Sequence, residues 1–232
     1  MRNDDSPGGA GVQVVPGYYK ALQDFSVALA SETPTPGGGS AAAAAGMMGA
    51  ALVAMSLRVS YRGQDIPPEV ARLVQRAEAY RVSLGAKAPQ DAAAYERYLS
   101  ARRMPRHTAE EQERRQEALA SALREATAVP LTVAEGCLGV LEVARDALEW
   151  VADRALSDLA AAAEVAAAGL ASAAWNVRIN LRGLPQDETS RVWNLRCQEL
   201  SAAGREALNA IRAQVEHRFH GQELPREAVQ KV

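Results

Sequence analysis

Between Thr33 and Leu57 the chain carries no charged residue, and the stretch opens with Pro34, Pro36 and three glycines before turning almost wholly to alanine, glycine and methionine. A run this small in side chain and this free of charge suits a helix that other backbones approach closely, at the centre of a helical bundle. Helical spacing continues on either side. Tyr18, Leu22, Phe25 and Leu29 recur at steps of four, three and four, and mark one apolar face of a first helix. A second helix is expected from near Ser40 to about Tyr61. "PPEVARLVQRAEAYRVSLG" opens on prolines suited to a helix start. "PQDAAAYERYLSARRMP" is a shorter helix bounded by prolines, and Thr108 with Glu111 forms a capping box for the charged helix after it. Pro130 is expected to break that helix and start another. A long alanine-rich helix ends at "GLP", and a final amphipathic one reaches roughly to His220. No alternating strand pattern is present, so the expected fold is all-α, a bundle of seven or eight helices around an alanine-rich one. Residues 1–11 are expected to be disordered, 12–220 to form the helical domain, and 221–232 to fray.

Composition removes several classes of function. The 26 basic and 28 acidic residues leave a net charge of −2, without the basic excess that nucleic acid or an anionic membrane surface requires. Arginine outnumbers lysine by 23 to 3, so residue type alone marks no arginine as functional. Cys137 and Cys197 are far apart with no CxxC context and read as buried thiols. His107, His217 and His220 offer no third ligand for a metal, and none is expected. The acidic N-terminus lacks an apolar core, so a cytoplasmic protein is expected.

The turn "TPGGGS" invites four readings that fail. A Walker loop needs Lys-Ser/Thr after its glycines, and a dinucleotide turn needs a preceding strand. A membrane span from 33 to 57 has only Leu52, Val53 and Leu57 as strongly favourable inserters, and is set aside. Prolines before the glycines and a helix after them also exclude a flexible linker. What remains is a rigid turn, Gly37, Gly38, Gly39 and Ser40, with bare N–H groups at a helix start. It holds an anion or a carbonyl oxygen, or is simply an N-cap.

"TPTPGGGSAAAAAGMMGAALVAM" resembles the opening of the cyclodeaminase/cyclohydrolase family. The likeness continues through "QDAAAYERYLSARRMPRHTAEEQERR", "ATAVPLTVAEGCLGVLE" and "LSDLAAAAEVAAAGLASAAWNVRINLRGL", over roughly residues 16–215. The resemblance implies a helical homodimer, or higher homo-oligomer, acting on a one-carbon tetrahydrofolate, with no tightly bound cofactor. Cyclodeaminases close 5-formimidoyltetrahydrofolate to 5,10-methenyltetrahydrofolate and release ammonia; cyclohydrolases open the methenyl ring with water. The first activity is the leading expectation. The second, or a non-catalytic dimer of the same fold, is the alternative.

By the same resemblance the general acid/base is Asp91 of "DAAAY", with Tyr95 one turn away on the same face. Capping of its own helix is the other reading of Asp91. Arg103, before Met-Pro, matches the family's basic residue and would bind a folate carboxylate. Asp158, Asn176, Arg178 and Asn180 complete the substrate-binding candidates, Arg178 being equally open to a structural ion pair. On one straight helix Asp158 and Asn176 lie about 27 Å apart. They would serve opposite ends of a long ligand or different sites across a dimer. The family's asparagine before Ser-Asp is missing in "VADRALSD", and its lysines after the glycine-rich helix are replaced in "VSYRGQD".

Overall fold

A computed structural model describes residues 16–221, and among these every regular element is helical. The expectations for residues 1–11 and for the tail past Gly221 fall outside the described residues. The chain divides into two compact units, one up to Thr35 and one from Pro36 onward. The first contains α1 (Pro16–Leu29). Its predicted periodic face is present, with Tyr18, Leu22 and Leu29 exposed.

The second unit holds α2 (Gly38–Ser60), α3 (Pro68–Gly85), α4 (Lys87–Arg102), α5 (Ala109–Ala147), α6 (Leu156–Leu181) and α7 (Glu188–Gly221), with one 3₁₀ turn at Asp153–Ala155. The alanine-rich α2 lies at the centre, as expected, touching α3, α4, α5 and α6, with its largest contact on α6. Small side chains decide how close the two run. A Cβ on Gly49 would stand 2.9 Å from the Ala162 carbonyl oxygen, and one on Gly169 would stand 2.9 Å from that of Ala42. Gly38 faces Asn176 near the other end of α6. Residues 38, 46 and 49 therefore meet 176, 169 and 162–166 in turn, so the helices are antiparallel.

By length and hydropathy alone, α2, α5 and the span Asp153–Leu181 are each long and apolar enough to cross a membrane. The sequence reading set aside a span over residues 33–57 as too alanine-rich and did not anticipate that three helices reach this length and hydropathy. Just over half of the apolar window in α2, 56%, is buried within the fold.

The Thr108 capping box forms as expected: Thr108 Oγ1 accepts from the Glu111 N–H, and the Glu111 carboxylate accepts from the Thr108 N–H. The expected break at Pro130 does not occur. α5 runs through it unbroken, with Pro130 buried inside the helix. The proline cannot donate to the carbonyl four residues back, which belongs to Ala126. Asn180 on α6 fills the vacancy, its Nδ2 donating to Ala126 O at 2.8 Å. A cross-helix amide thus replaces the bond that a proline forfeits, and the bundle packing carries the helix past it.

At the opposite end two arginines tie the helix C-termini. Arg154 donates to the Val59 and Ser60 carbonyls of α2. Arg218 on α7 donates to Leu148 O and Val151 O and to the Asp153 carboxylate. Carbonyls at a helix end lack intrahelical partners, and these guanidinium groups supply them. Both cysteines are free and buried, as expected, and burial pushes the Cys137 thiol up to about 12.

Candidate active site

The glycine turn begins α2, with Gly37 as its N-cap and Gly38, Gly39 and Ser40 as the first three helical residues. None of these glycines has positive φ; among the described residues only Gly63 does. Closeness is the reason for them. A Cβ on Gly39 would stand 2.1 Å from Asp91 Oδ1, and one on Gly38 would stand 3.4 Å from Asn176 Nδ2.

Asp91 comes from α4. That helix starts at Lys87, before Pro89, so Asp91 lies in its second turn and does not cap it. Its carboxyl instead meets the start of α2. Ser40 Oγ lies 3.0 Å from Asp91 Oδ2, and the Ser40 main chain also hydrogen-bonds the carboxyl. Ser40 is 1% exposed, and its hydroxyl also reaches Ala88 O at 3.1 Å. The N-terminus of α2 therefore receives a carboxylate from its own chain. That merges the two readings of the turn, since the capping group is itself the candidate acid/base. Burial raises the Asp91 pKa above its ordinary value, and the hydrogen bond from the Ser40 main chain, which favours the ionised form, offsets this only in part. A half-buried carboxyl with a raised pKa, and with no charged partner among the described residues, is suited to take up and give back a proton.

Tyr95 is half-buried one turn further along α4, with its ring centroid 6.0 Å from that of Tyr98. Asn176 faces Gly38 while its Nδ2 donates to Ser172 O at 2.9 Å. Gly37, Gly38, Gly39, Ser40, Asp91 and Asn176 are thus brought together. The other candidates are not. Asn180 is held to the α5 backbone. Arg178 is exposed and stacks over Trp175, 5.1 Å from the ring centroid, in place of the ion pair considered for it. Arg103 is exposed at the C-cap of α4, roughly 18 Å along the helix from Asp91. Asp158 sits in the first turn of α6, and α6 is one continuous helix, so the distance of about 27 Å to Asn176 holds.

Sequence reasoning missed two contributors. The Ala88 carbonyl has no side-chain signature at all. The structural duty of Asn180 had a faint signal in Pro130, which frees a carbonyl, but only the packing of α6 on α5 shows which group reaches it. Among the described residues no three His, Cys, Asp or Glu side chains group as a metal site. A groove of about 420 Å³ lies on the α7 side of α6, lined by Ala167, Ala171, Trp175, Arg178, Gly204 and Leu208 among others, away from Asp91.

Residues 21–199 match the formiminotransferase-cyclodeaminase family. The chain belongs to that family. It is 34% identical over 168 residues to the methenyltetrahydrofolate cyclohydrolase of Methylorubrum extorquens, covering 71% of this chain and 81% of that one. It is also 34% identical over 172 residues to the formimidoyltransferase-cyclodeaminase of Sus scrofa, but spans only 32% of that longer protein. The crystal structure of formiminotetrahydrofolate cyclodeaminase from Thermotoga maritima superposes with a TM-score of 0.74 at 27% identity, over 85% of this chain and 96% of that one.

Proposed function

We propose that this chain is a folate one-carbon enzyme that closes 5-formimidoyltetrahydrofolate to 5,10-methenyltetrahydrofolate and releases ammonia, with Asp91 as general acid/base. One observation carries the reading: a half-buried carboxyl of raised pKa, held against the glycine turn with no charged partner among the described residues. The chemistry needs a group of that kind. Asp91 gives its proton to the formimidoyl nitrogen as N10 attacks the carbon, which becomes tetrahedral between N5 and N10. The proton on N10 returns to Asp91 and passes to the amino nitrogen. The C–N bond then breaks, ammonia leaves, and the methenyl cation remains. The turn Gly37, Gly38 and Gly39 carries the carboxyl at Gly39 and meets the Asn176 amide at Gly38, and Tyr95 lies one turn away from Asp91. Their proposed duty is to hold polar atoms of the pteridine near Asp91.

A second reading is hydrolysis of the methenyl ring, and the Methylorubrum extorquens relative favours it, since the present chain covers 81% of its length. In that reaction Asp91 would take a proton from the attacking water and return it to the departing nitrogen. A homodimer in an aqueous compartment is part of the same proposal, with the apolar face of α2 serving as core against α6. Retention of both Asp91 and the intact turn weighs against a non-catalytic role. The test is an absorbance assay of methenyl formation from 5-formimidoyltetrahydrofolate, run beside methenyl loss in water. Turnover of the first substrate upholds the leading reading. Turnover of the second alone transfers it to hydrolysis, and turnover of neither removes both.

A further inference from the structure

Around Ser40 one proton faces two acceptors. Its Oγ lies 3.1 Å from Ala88 O and 3.0 Å from Asp91 Oδ2. A carbonyl only accepts, and so does an ionised carboxylate, while a hydroxyl has a single proton to give. With Asp91 ionised, Ser40 serves one of them and leaves two oxygens facing each other without a hydrogen. With Asp91 protonated on Oδ2 the chain closes: Asp91 donates to Ser40 Oγ, and Ser40 donates to Ala88 O. Every donor is then used. With Ser40 itself only 1% exposed, the network favours the state in which all its members are satisfied.

We propose that Ser40 is a positioning residue that holds Asp91 as the carboxylic acid in the free enzyme, accepting its proton-bearing oxygen while passing its own hydroxyl proton to the Ala88 carbonyl. This rests on the catalytic reading of Asp91 and sharpens it, because the carboxyl then enters the reaction as a proton donor. That role matches protonation of the formimidoyl nitrogen better than deprotonation of water. Once the Asp91 O–H bond has broken and an N–H bond has formed, the Ser40 hydroxyl rotates to the new carboxylate, which its backbone N–H also holds.

Among the described residues no charged group pairs with the Asp91 carboxyl. From α2 the carboxyl faces Gly39 and Ser40, and from α6 the neutral Asn176 lies alongside at Gly38. On α4 the ionisable neighbours are Lys87, bound to Gln90 Oε1, and Tyr95. On α5, Glu125 is held by two guanidinium nitrogens of Arg97.

The experiment is a direct titration of the Asp91 carboxyl carbon by ¹³C NMR in the full chain, its signal assigned by loss in Asp91→Asn. In Ser40→Ala the acid form loses its acceptor, so the midpoint should fall by about one pH unit, a tenfold drop in the protonated fraction above it. The alkaline limb of kcat on 5-formimidoyltetrahydrofolate should move with it, and KM should stay within about twofold. Ser40→Cys keeps the size and a weak S–H and should fall between, which also covers any folding defect in the alanine variant. A midpoint that rises or stays would overturn the proposal, because Ser40 would then donate chiefly to the carboxylate. A midpoint that falls while the kcat profile stays put would uphold the Ser40 contact and remove Asp91 from catalysis.

Discussion

At Asp91 the asparagine variant separates chemistry from architecture. An amide offers Nδ2–H to Ser40 Oγ and Oδ1 to the Ser40 N–H, so it reproduces the protonated acid without being able to exchange a proton. Asp91→Asn should lower kcat by about 10²- to 10⁴-fold while circular dichroism stays unchanged. Its pH dependence follows from the raised pKa. The folded state holds the proton more tightly than the unfolded one. Stability from this group is full below the ordinary carboxylate value and is lost as pH rises through the folded pKa. Asparagine has no proton to lose, so the variant should melt at or above the parent at pH 7. That advantage should vanish toward pH 3, as read by Tm across a pH series. The glycines divide in the same way. A side chain at residue 39 collides with the Asp91 carboxyl at 2.1 Å, whereas one at residue 38 only touches the Asn176 amide at 3.4 Å. Gly39→Ala should therefore abolish turnover with the helical spectrum preserved, and Gly38→Ala should keep most of it. Equal losses in the two would mean that the turn binds ligand chiefly through its backbone. The pairing of Asp91 with the turn was legible only through family resemblance, since 51 residues separate Ser40 from Asp91.

Among the elements, α5 shows how packing overrides a local rule. Proline inside a helix costs about 3 kcal/mol or more, partly from the lost hydrogen bond. Here the Asn180 amide caps the freed Ala126 carbonyl. Removing that amide should cost about 1–3 kcal/mol, because it strands a carbonyl among buried residues. A double-mutant cycle checks the cause. In a Pro130→Ala background the new N–H reaches Ala126 O, so Asn180→Ala should cost markedly less there by urea denaturation. Identical losses in the two backgrounds would show that Asn180 acts through something other than the proline vacancy. The helix starts were legible where side chains make them, as at Thr108 with Glu111. The start of α4 was not, because Lys87 and Ala88 precede Pro89 in its first turn and no capping side chain marks it.

For the whole molecule, the exposed side of α6 carries Ala168, Ala171, Trp175 and Ile179, with Trp175 67% exposed. A second copy laid antiparallel on that face would cover it and would carry its own Asp158 toward the Asn176 end, across the 27 Å that separates them in one chain. Sedimentation equilibrium is expected to give twice 24.7 kDa or a multiple. Ala171→Trp should weaken association and activity together, and a fully active monomer at micromolar concentration would end the idea. Sequence by itself determined the all-α class, the central place of the small-residue helix and most element limits. Those follow from short-range periodicity, charge-free runs and capping side chains, all of which act within a few residues. The meeting of Gly39, Ser40, Ala88, Asp91 and Asn176 and the patch at Pro130 were decided by the tertiary structure alone. Each depends on the relative placement of two or three helices, and on backbone carbonyls that every residue type carries alike.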